Sequence, residues 1–479
     1  MRPSLLVAPA LAFCAGCATP PPSDPEFANT AHVVQTVALG QEFDEPAALP
    51  RDDVLDHPHH VDYYVQLALD QNPTIRAAQR RVSAQAEVIP QVTALNDPVL
   101  SDTFFPIDGN SPQTAAGRAP NMLTLSQKFP WLDKLRVRGE VAEQDAQIAL
   151  SELAAAQLKV IEDVKLAYHE VAYTQRAVEI TTSSKHLLSD LLKFAEARYR
   201  TGGSQQDVLR AMLELDTLQN RLIILNKSLQ MAQADLASAL HTSPEARPKA
   251  ATDALDPSVP QQIDELYEAA VRCRPELQQR LHAIIKAERG EQLARLDYLP
   301  DMAMGIGWQA VTQNNALSPV SNGRDNVALT MGVTLPIWRD KLRAGVREAE
   351  HRAVEAARRY DATRDDTFRA IRRLVVQARA LEEQIQLFRR PSTGIIARAQ
   401  QTLRISAADY QVNKVDFEQI NANWNNLLMF EIQVIRLEAS LAQTLASLER
   451  VVGCELVSAD TGNAIIFPVP EPSTAPESK

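Results

Sequence analysis

The chain has 479 residues, of which 16 are glycine, and its formal net charge is −11. Lysine and arginine are interspersed with aspartate and glutamate, whereas a protein that binds a phosphate backbone presents a basic face. Nucleic-acid binding is therefore disfavoured. No apolar run after the first 16 residues approaches the ~20 residues that a membrane-spanning helix needs, which excludes a helical membrane protein.

The N-terminus resembles an export signal. Arg2 is followed by a short apolar core from Leu5 to Phe13 and then by small residues, the pattern of a secretory signal peptide. The Ala-Gly-Cys ending at Cys17 resembles a bacterial lipobox, in which the cysteine is diacylated and becomes the new N-terminus. The resemblance implies a signal peptide over residues 1–16 and a lipid anchor on Cys17. An ordinary signal peptide cleaved nearby is the alternative.

Two further cysteines, Cys273 and Cys454, remain in the mature chain. Neither has the spacing of a metal site or a neighbouring histidine that would indicate a nucleophile. An exported protein can pair two thiols in an oxidising compartment. Their helical sequence context favours two buried free thiols, and pairing stays open.

The segments at the two ends of the chain lack hydrophobic periodicity. Residues 17–60 contain many prolines and acidic residues and are predicted to be a tether, and residues 457–479 to be a disordered tail. Within the tether, His57, His59 and His60 resemble a metal-binding tract. Pro58 prevents helical i, i+4 ligation, and no further histidine or cysteine lies close in sequence. The preferred interpretation is a polar junction, without a metal ion.

Between these ends the sequence repeats itself once, at an offset of roughly 200 residues. The matching landmarks are Asn72-Pro73 with Arg274-Pro275, Pro90 with Pro300, Phe129-Pro130 with Leu335-Pro336, and the Asp-Lys-Leu-Arg runs at Asp133–Arg136 and Asp340–Arg343. A repeat of this length indicates a duplicated half-molecule. We predict one half over residues 61–256 and a second over residues 257–456.

Each half is predicted to run helix, two strands, very long helix, tight turn, helix. The strands are expected near residues 97–105 and 121–129 in the first half and 300–311 and 326–335 in the second. Large apolar residues alternate there with small or polar ones over about the ~9–11 residues of a tilted membrane strand. A soluble, half-buried hairpin explains the same alternation for any single strand.

The long helix of the first half is predicted from Leu135 to Tyr199, roughly 97 Å at ~1.5 Å per residue. In the second half Pro391 interrupts the corresponding helix. Both helices end in a tight turn, and glycine and asparagine accept the left-handed geometry found at helix ends. The predicted turn residues are Tyr199, Gly202 and Gly203 in the first half, and Tyr410 and Asn413 in the second.

This order of elements, from about Val61 to Gly453, resembles the TolC family of outer-membrane efflux channels. The resemblance implies a mainly α-helical chain with a small transmembrane β part. It also implies a homotrimer whose four strands per chain close a 12-stranded barrel in outer-membrane lipid, with the helices forming a barrel in the periplasm. A physical argument agrees, since four strands leave two open edges that lipid cannot satisfy.

Three short segments resemble the heavy-metal-efflux branch of that family: Asn96–Leu100, Gln127–Trp131 and Lys414–Phe417. That branch implies a periplasmic adaptor and an inner-membrane pump of the RND type as partners. Two positions depart from the branch pattern: Leu132-Asp133-Lys134 stands where the branch has Gly-Lys after Pro-Trp, and Asn413 stands where it has the glycine of the helix turn. The cargo therefore stays open between metal cations and the small molecules of multidrug export, with type I protein secretion as a further alternative.

A channel needs no nucleophile, general base or cofactor, and none is predicted. It needs a closed pore wall, a pore opening and charged groups that set the electrostatic potential along the pore. The family's narrow end lies at the helix turns, so we expect Asp409, Asp416 and Glu418 to line the pore there. The turn residues are expected to contact the adaptor. The competing interpretation is that Asp416 caps a helix and Glu418 faces water.

Two other classes of protein stay open. A periplasmic adaptor, or another helical lipoprotein, also combines helical hairpins with strands, but an adaptor should carry one hairpin and a lipoyl-like β module. An enzyme built on a helical bundle needs inward carboxylates and histidines at i, i+3 spacing, and the helical tracts lack such a set.

Overall fold

The computed structural model describes Asp24, Phe27, Leu55 and residues 57–106, 110–251, 259–260, 262–411 and 414–454. The chain divides into two units, residues 1–51 and 52–479, and nearly all described residues belong to the second. The predicted signal peptide, Cys17, most of the tether, the tail and Asn413 lie outside the described residues.

Most of the described residues are helical, as predicted. The helices among them are α1 Val61–Gln71, α2 Pro73–Ala86, α3 Val88–Thr93, α4 Leu132–Arg200, α5 Gln205–Ala239, α6 Ile263–Cys273, α7 Pro275–Leu296, α8 Arg339–Arg389, α9 Ile395–Gln411 and α10 Phe417–Val452.

The strands form one antiparallel sheet, whose strands differ in length, and one short parallel pair. In chain order they are β1 Pro58–His59, β2 Val99–Phe104, β3 Gln113–Thr114, β4 Gly117–Phe129, β5 Lys249–Ala250, β6 Met302–Thr312 and β7 Asn326–Val333. The antiparallel sheet has the order β2-β4-β6-β7, with β3 paired to the start of β4, and β1 pairs with β5. The central contact, between β4 and β6, joins the two halves of the chain.

Helix α4 runs for 69 residues without a break, because its sequence contains no proline and a single glycine. Its counterpart in the second half is interrupted as predicted. Helix α8 ends at Arg389, Ser392 adopts a left-handed φ of 61°, and α9 begins at Ile395. The interruption follows from Pro391, which cannot continue the backbone hydrogen bonding of a helix.

The duplication is visible in the cores of the two halves. Each core packs the first helix of its half against the long helix and the last helix, at corresponding positions. The buried residues of the first half include Tyr64, Ala68, Val164, Tyr168, Leu236 and Leu240, and those of the second include Leu266, Ala270, Ile371, Val375, Leu448 and Val452. Both halves therefore bury equivalent positions of their helices.

In each half, the end of the last helix is connected to the end of the first helix, but the two halves use different interactions. In the first half the Asn72 side-chain amide donates to the carbonyl oxygen of Ala239 over 3.3 Å. In the second half Cys273 and Cys454 form a disulfide, with Cα atoms 5.8 Å apart. The expectation of two free thiols is therefore wrong. The thiols are 181 residues apart, and Gly453, with a left-handed φ of 84°, turns the chain against Arg274 so that they meet.

Reduction of this disulfide should destabilise the second half. Because the bond restricts the unfolded chain, we expect Cys273→Ser/Cys454→Ser to lose about 2–4 kcal/mol of unfolding free energy per chain. The measurement is thermal unfolding by circular dichroism with and without a reducing agent. The double variant is the control, since its transition should not respond to the reductant; equal transitions for the reduced and oxidised wild type would contradict the prediction.

A buried histidine predicts acid sensitivity. His169 on α4 is 5% exposed, and its Nδ1 has no hydrogen-bond partner among the described residues. Burial, with a smaller effect of the Lys165 charge, lowers its pKa to about 4 from 6.5. The unfolded chain therefore binds this proton more tightly than the folded chain. The stability that neutral His169 provides is complete above pH 6.5 and is lost as the pH falls towards 4.

We expect His169→Gln to reduce the loss of unfolding free energy between pH 7 and pH 4.5, by on the order of 2 kcal/mol. Denaturant titrations of wild type and variant at both pH values measure it. Other groups titrate equally in both proteins, so the difference between the two losses isolates His169. Identical losses would contradict the assignment.

Candidate functional site: an exposed apolar sheet and two joined helix turns

The antiparallel sheet has two unlike faces. Its register places Leu125 opposite both Leu100 and Ile306, and Ile306 opposite Leu329. These side chains are 44%, 63%, 48% and 83% exposed, in that order. The next row, on the other face, contains Thr124, Gly307 and Ala328. Apart from Asp102, which lies opposite Leu123, this exposed face is mainly apolar. An apolar face opposite a face of small and polar residues is typical of a sheet that contacts lipid on one side.

The two outer strands of this sheet leave open edges. Strand β2 pairs only with β4, and β7 pairs only with β6, among the described residues. Each outer strand therefore has a row of backbone N–H and C=O groups without a strand partner. Such edges invite pairing with another chain.

The loops at one end of the sheet are held together by Arg118 in β4. Its guanidinium donates to the carbonyl oxygens of Asn315, over 2.6 Å, and Ser111, over 2.9 Å. The Gly323 N–H also donates to the Ala116 carbonyl over 2.7 Å. These contacts join the loop before β4 to the loop between β6 and β7.

At the other end of the sheet an ion pair between a buried lysine and a half-buried aspartate joins the two halves. Lys134, at the start of α4, is 4% exposed, and its Nζ lies 2.9 Å from the carboxylate of Asp301, directly before β6. The same carboxylate accepts a hydrogen bond from the Trp131 N–H. Burial acts to raise the pKa of Asp301, but the hydrogen bonds from Lys134 and Trp131 outweigh it and the pKa is lowered.

The turn after α4 has the geometry that its glycines predict. Gly202 has a φ of 100°, and a Cβ on Gly203 would lie 2.9 Å from the Arg198 carbonyl oxygen. Ser204 then caps α5 by accepting a hydrogen bond from the Gln206 N–H. Tyr199 is 49% exposed beside this turn. The turn is therefore sterically restricted, with an aromatic side chain open to a partner.

The predicted carboxylates lie around the turn between α9 and α10: Asp409 near the end of α9, Asp416 in the turn and Glu418 in the first turn of α10. Asp409 is half-buried, and its backbone carbonyl accepts from the Lys414 N–H over 2.9 Å. Asp416 is exposed and caps α10, because its carboxylate accepts from the Gln419 N–H over 3.0 Å. The cap uses one carboxylate oxygen of a side chain that still faces solvent.

Side chains of the two turns contact each other. Tyr410 is 4% exposed, and its hydroxyl donates to the Asp207 carboxylate over 3.2 Å. The Arg198 guanidinium lies 4.3 Å from the centre of the Tyr410 ring. Burial, and next the Asp207 charge, raise the pKa of Tyr410. A second contact joins Arg210 to Glu418 over 2.7 Å. Together with a buried apolar cluster that contains Ala211, Phe417 and Ile420, these contacts hold the α4–α5 hairpin against the α9–α10 hairpin.

The structure therefore brings Tyr410 and Glu418 together with residues that the sequence did not single out: Arg198, Asp207 and Arg210. No sequence signal could have identified them, because each is one charged residue among many on a long helix and lies about 200 residues from its partner. Tyr410, expected at an adaptor contact, lies inside the contact between the hairpins.

His59, in the histidine tract before α1, contacts an aromatic ring and a neighbouring strand. The His59 ring stacks on Tyr63 with 4.1 Å between ring centres, and Pro58–His59 pairs with Lys249–Ala250. Within the described part of the chain, no group of three or more histidine, cysteine, aspartate and glutamate side chains is arranged to hold a metal ion. The described helices also include none that is both long and apolar enough to cross a membrane.

Comparison with solved structures gives the same fold. The outer membrane protein VceC from Vibrio cholerae is 18% identical, with a TM-score of 0.66, covering 82% of this chain and 96% of VceC. CusC is 17% identical with a TM-score of 0.68, covering 86% and 98%. The CmeC outer membrane channel of Campylobacter jejuni is 14% identical with a TM-score of 0.66, covering 86% and 89%. Among curated protein sequences, none matches this chain.

A family model described as outer membrane efflux protein matches two segments of the chain, residues 64–241 and 266–454. The segments contain the long helices, the turns and the four main strands described above. Members of this family are transport proteins of tripartite efflux systems. The chain belongs to the outer membrane efflux protein family.

Proposed function

We propose that this protein is the outer-membrane channel of a tripartite efflux system and exports metal cations or small toxic molecules. The observation that carries the proposal is the sheet, which combines an exposed apolar face with two unpaired edges. Three copies supply twelve long strands and close one barrel, so that no edge is left in lipid. The halves, residues 61–256 and 257–456, then contribute two strands each.

The length of the helices supports the proposal that the channel belongs to a tripartite efflux system. Helix α4 is roughly 100 Å long at ~1.5 Å per residue, so it extends far beyond any membrane that the sheet occupies. We place it in the periplasm, where the turns at its far end contact an adaptor and, through it, an RND-type pump. Tyr199, exposed beside Gly202 and Gly203, is the proposed adaptor contact of the first turn.

Lipidation supplies a second attachment to the outer membrane. Diacylation of Cys17 places two chains in the bilayer, and two chains give stable anchoring where one does not. In this proposal residues 17–60 are the tether between Cys17 and the first half.

We place the pore constriction at the turns, with Asp409, Asp416 and Glu418 of each copy biasing it towards cations. Asp416→Asn is the sharpest test, because asparagine caps a helix as well as aspartate but carries no charge. We expect its reversal potential across a KCl gradient in a planar bilayer to move towards zero, with unchanged helicity. An unchanged reversal potential would leave Asp416 as a helix cap alone.

Glu418 needs a matched control, since Glu418→Gln removes a carboxylate and also breaks the ion pair with Arg210. Arg210→Gln breaks the same pair but retains the carboxylate. We therefore expect Glu418→Gln to weaken cation preference and Arg210→Gln to strengthen it. Shifts in the same direction would show that the ion pair matters and the pore charge does not.

The contact between the hairpins is proposed to hold the pore closed. Tyr410→Phe keeps the buried ring and removes the hydrogen bond to Asp207, worth about 1 kcal/mol, so the open state should gain about five-fold in population. Single-channel recording measures the open probability. Thr402→Val, which removes a hydroxyl bonded only within α9, is the control. Equal open probabilities for wild type and Tyr410→Phe would contradict the closing role.

A further inference from the structure

A small apolar groove lies on the second half of the chain, between α6 and α8. It is lined by the half-buried Tyr267, Val271 and Phe368 and by the exposed Glu268 and Arg272. The ring centres of Tyr267 and Phe368 are 4.7 Å apart, with an angle of 43° between the ring planes. The volume of the groove is about 370 Å³, at the low end of the ~300–1,000 Å³ range of ligand pockets. The groove therefore offers two aromatic rings to a small ligand.

The first half has aliphatic residues where the second half has this aromatic pair. The corresponding buried residues of the two cores align the first helices of the halves with each other, and likewise the long helices. This alignment places Val65 at the position of Tyr267 and Ile161 at the position of Phe368. Aliphatic side chains thus suffice where α1 packs against α4. Packing between the helices therefore does not by itself require the aromatic pair in the second half.

The C-terminal segment of the chain begins beside the groove. Cys454, directly after the last helix, is bonded to Cys273, and the Cα atoms of the two cysteines are 5.8 Å apart. Cys273 directly follows Arg272, which lines the groove. Residues 455–479 lie outside the described part of the chain. Their starting point is nevertheless held covalently within a few residues of the groove.

One part of this C-terminal segment has the sequence of a ligand for an aromatic groove. Residues 464–472 read Ala-Ile-Ile-Phe-Pro-Val-Pro-Glu-Pro and are flanked by small and polar residues. Each proline fixes its own φ and restricts the residue before it to extended conformations, so Phe467–Pro472 favours a polyproline II helix. This agrees with the predicted disordered tail, because polyproline II is a major conformer of unfolded chains. Proline-rich segments of this kind bind aromatic-lined grooves at a low entropic cost.

We propose that the proline-rich segment Ile465–Pro472 binds the groove between Tyr267 and Phe368 of its own chain. The proline rings pack on the two aromatic side chains, and Arg272 offers Glu471 an ion pair. Because Glu268 also lines the groove, the opposite charges of Glu268 and Arg272 offset each other, and the aromatic rings provide most of the contact. The inference is independent of the lipid, partners and cargo of the proposed channel.

The length of the connecting chain suits binding within one chain. Phe467 lies 13 positions after Cys454, which corresponds to at most ~45 Å for an extended chain and an r.m.s. distance of about 20 Å for a flexible one. A short flexible linker of this kind gives an effective concentration on the order of millimolar. At that concentration a contact with a dissociation constant of about 0.1 mM is formed about nine-tenths of the time.

Photo-cross-linking of the full-length protein in native membranes tests the contact. The probe is p-benzoylphenylalanine in place of Phe467, which forms a covalent bond to a neighbouring side chain on irradiation. Denaturing gel electrophoresis gives the number of chains in the product, and mass spectrometry of its peptides gives the position of the bond. We expect adducts with α6 or α8 close to Tyr267 or Phe368, in a band that contains a single chain.

The internal repeat supplies a matched pair of variants. Tyr267→Val/Phe368→Ile gives the groove the residues that the first half carries at these positions, so the helices should still pack, which circular dichroism checks. We expect this variant to lose the adducts. Val65→Tyr/Ile161→Phe makes the reverse exchange in the first half and should leave the adducts unchanged.

Proteolysis gives a second readout with natural amino acids alone. Thermolysin cleaves before large apolar residues such as Ile465 and Ile466, and binding of the segment in the groove protects these bonds. We expect Tyr267→Val/Phe368→Ile to be cleaved there about two- to ten-fold faster, the factor that corresponds to the loss of an aromatic contact. Pro470→Ala/Pro472→Ala should have the same effect, whereas Pro476→Ala, outside the segment, should have none.

Three results would overturn the proposal. Adducts with α6 or α8 in a band that contains two chains would assign the groove to the C-terminal segment of another copy. Adducts with other parts of the chain, or no adducts, would remove the groove as the binding site. Adducts and cleavage rates that are the same in wild type, Tyr267→Val/Phe368→Ile and Pro470→Ala/Pro472→Ala would exclude recognition of proline by the aromatic pair.

Discussion

Backbone hydrogen bonding at the edges of the sheet is the constraint on which the rest of the structure depends. Strands β2 and β7 each present an unpaired row of N–H and C=O groups next to a broad apolar face. Water can satisfy such groups, but it would also contact the apolar face; lipid accepts the apolar face but satisfies no backbone group. Pairing with further strands meets both demands, and in the proposed channel identical copies supply those strands.

The duplication of the chain is visible in how its two halves are packed and joined. Each half buries equivalent positions of three helices, and the halves meet through the β4–β6 pairing and the Lys134–Asp301 ion pair. The halves nevertheless differ in two features of the second half: the Cys273–Cys454 disulfide and the helix break at Pro391.

Both of these differences lie in the second half of the chain. The same half contains Asp409, Asp416 and Glu418 at its helix turn. The break after α8 divides what is one continuous helix in the first half, so α9 and α10 are connected to the rest by a short turn. Buried apolar residues of both hairpins, among them Leu218, Trp424 and Phe417, hold this hairpin to the first, together with the contacts of Tyr410 with Asp207 and Arg198.

The sequence by itself determined the element types, the internal repeat and the family, because hydrophobic period, proline and glycine act locally and are read directly along the chain. Helix α4, the break at Pro391 and the turn at Gly202 were predictable for that reason. The disulfide and the Tyr410–Asp207 and Arg210–Glu418 contacts were decided only in the tertiary structure. Each joins residues about 180 to 210 positions apart, and no local pattern encodes which of many similar side chains will meet.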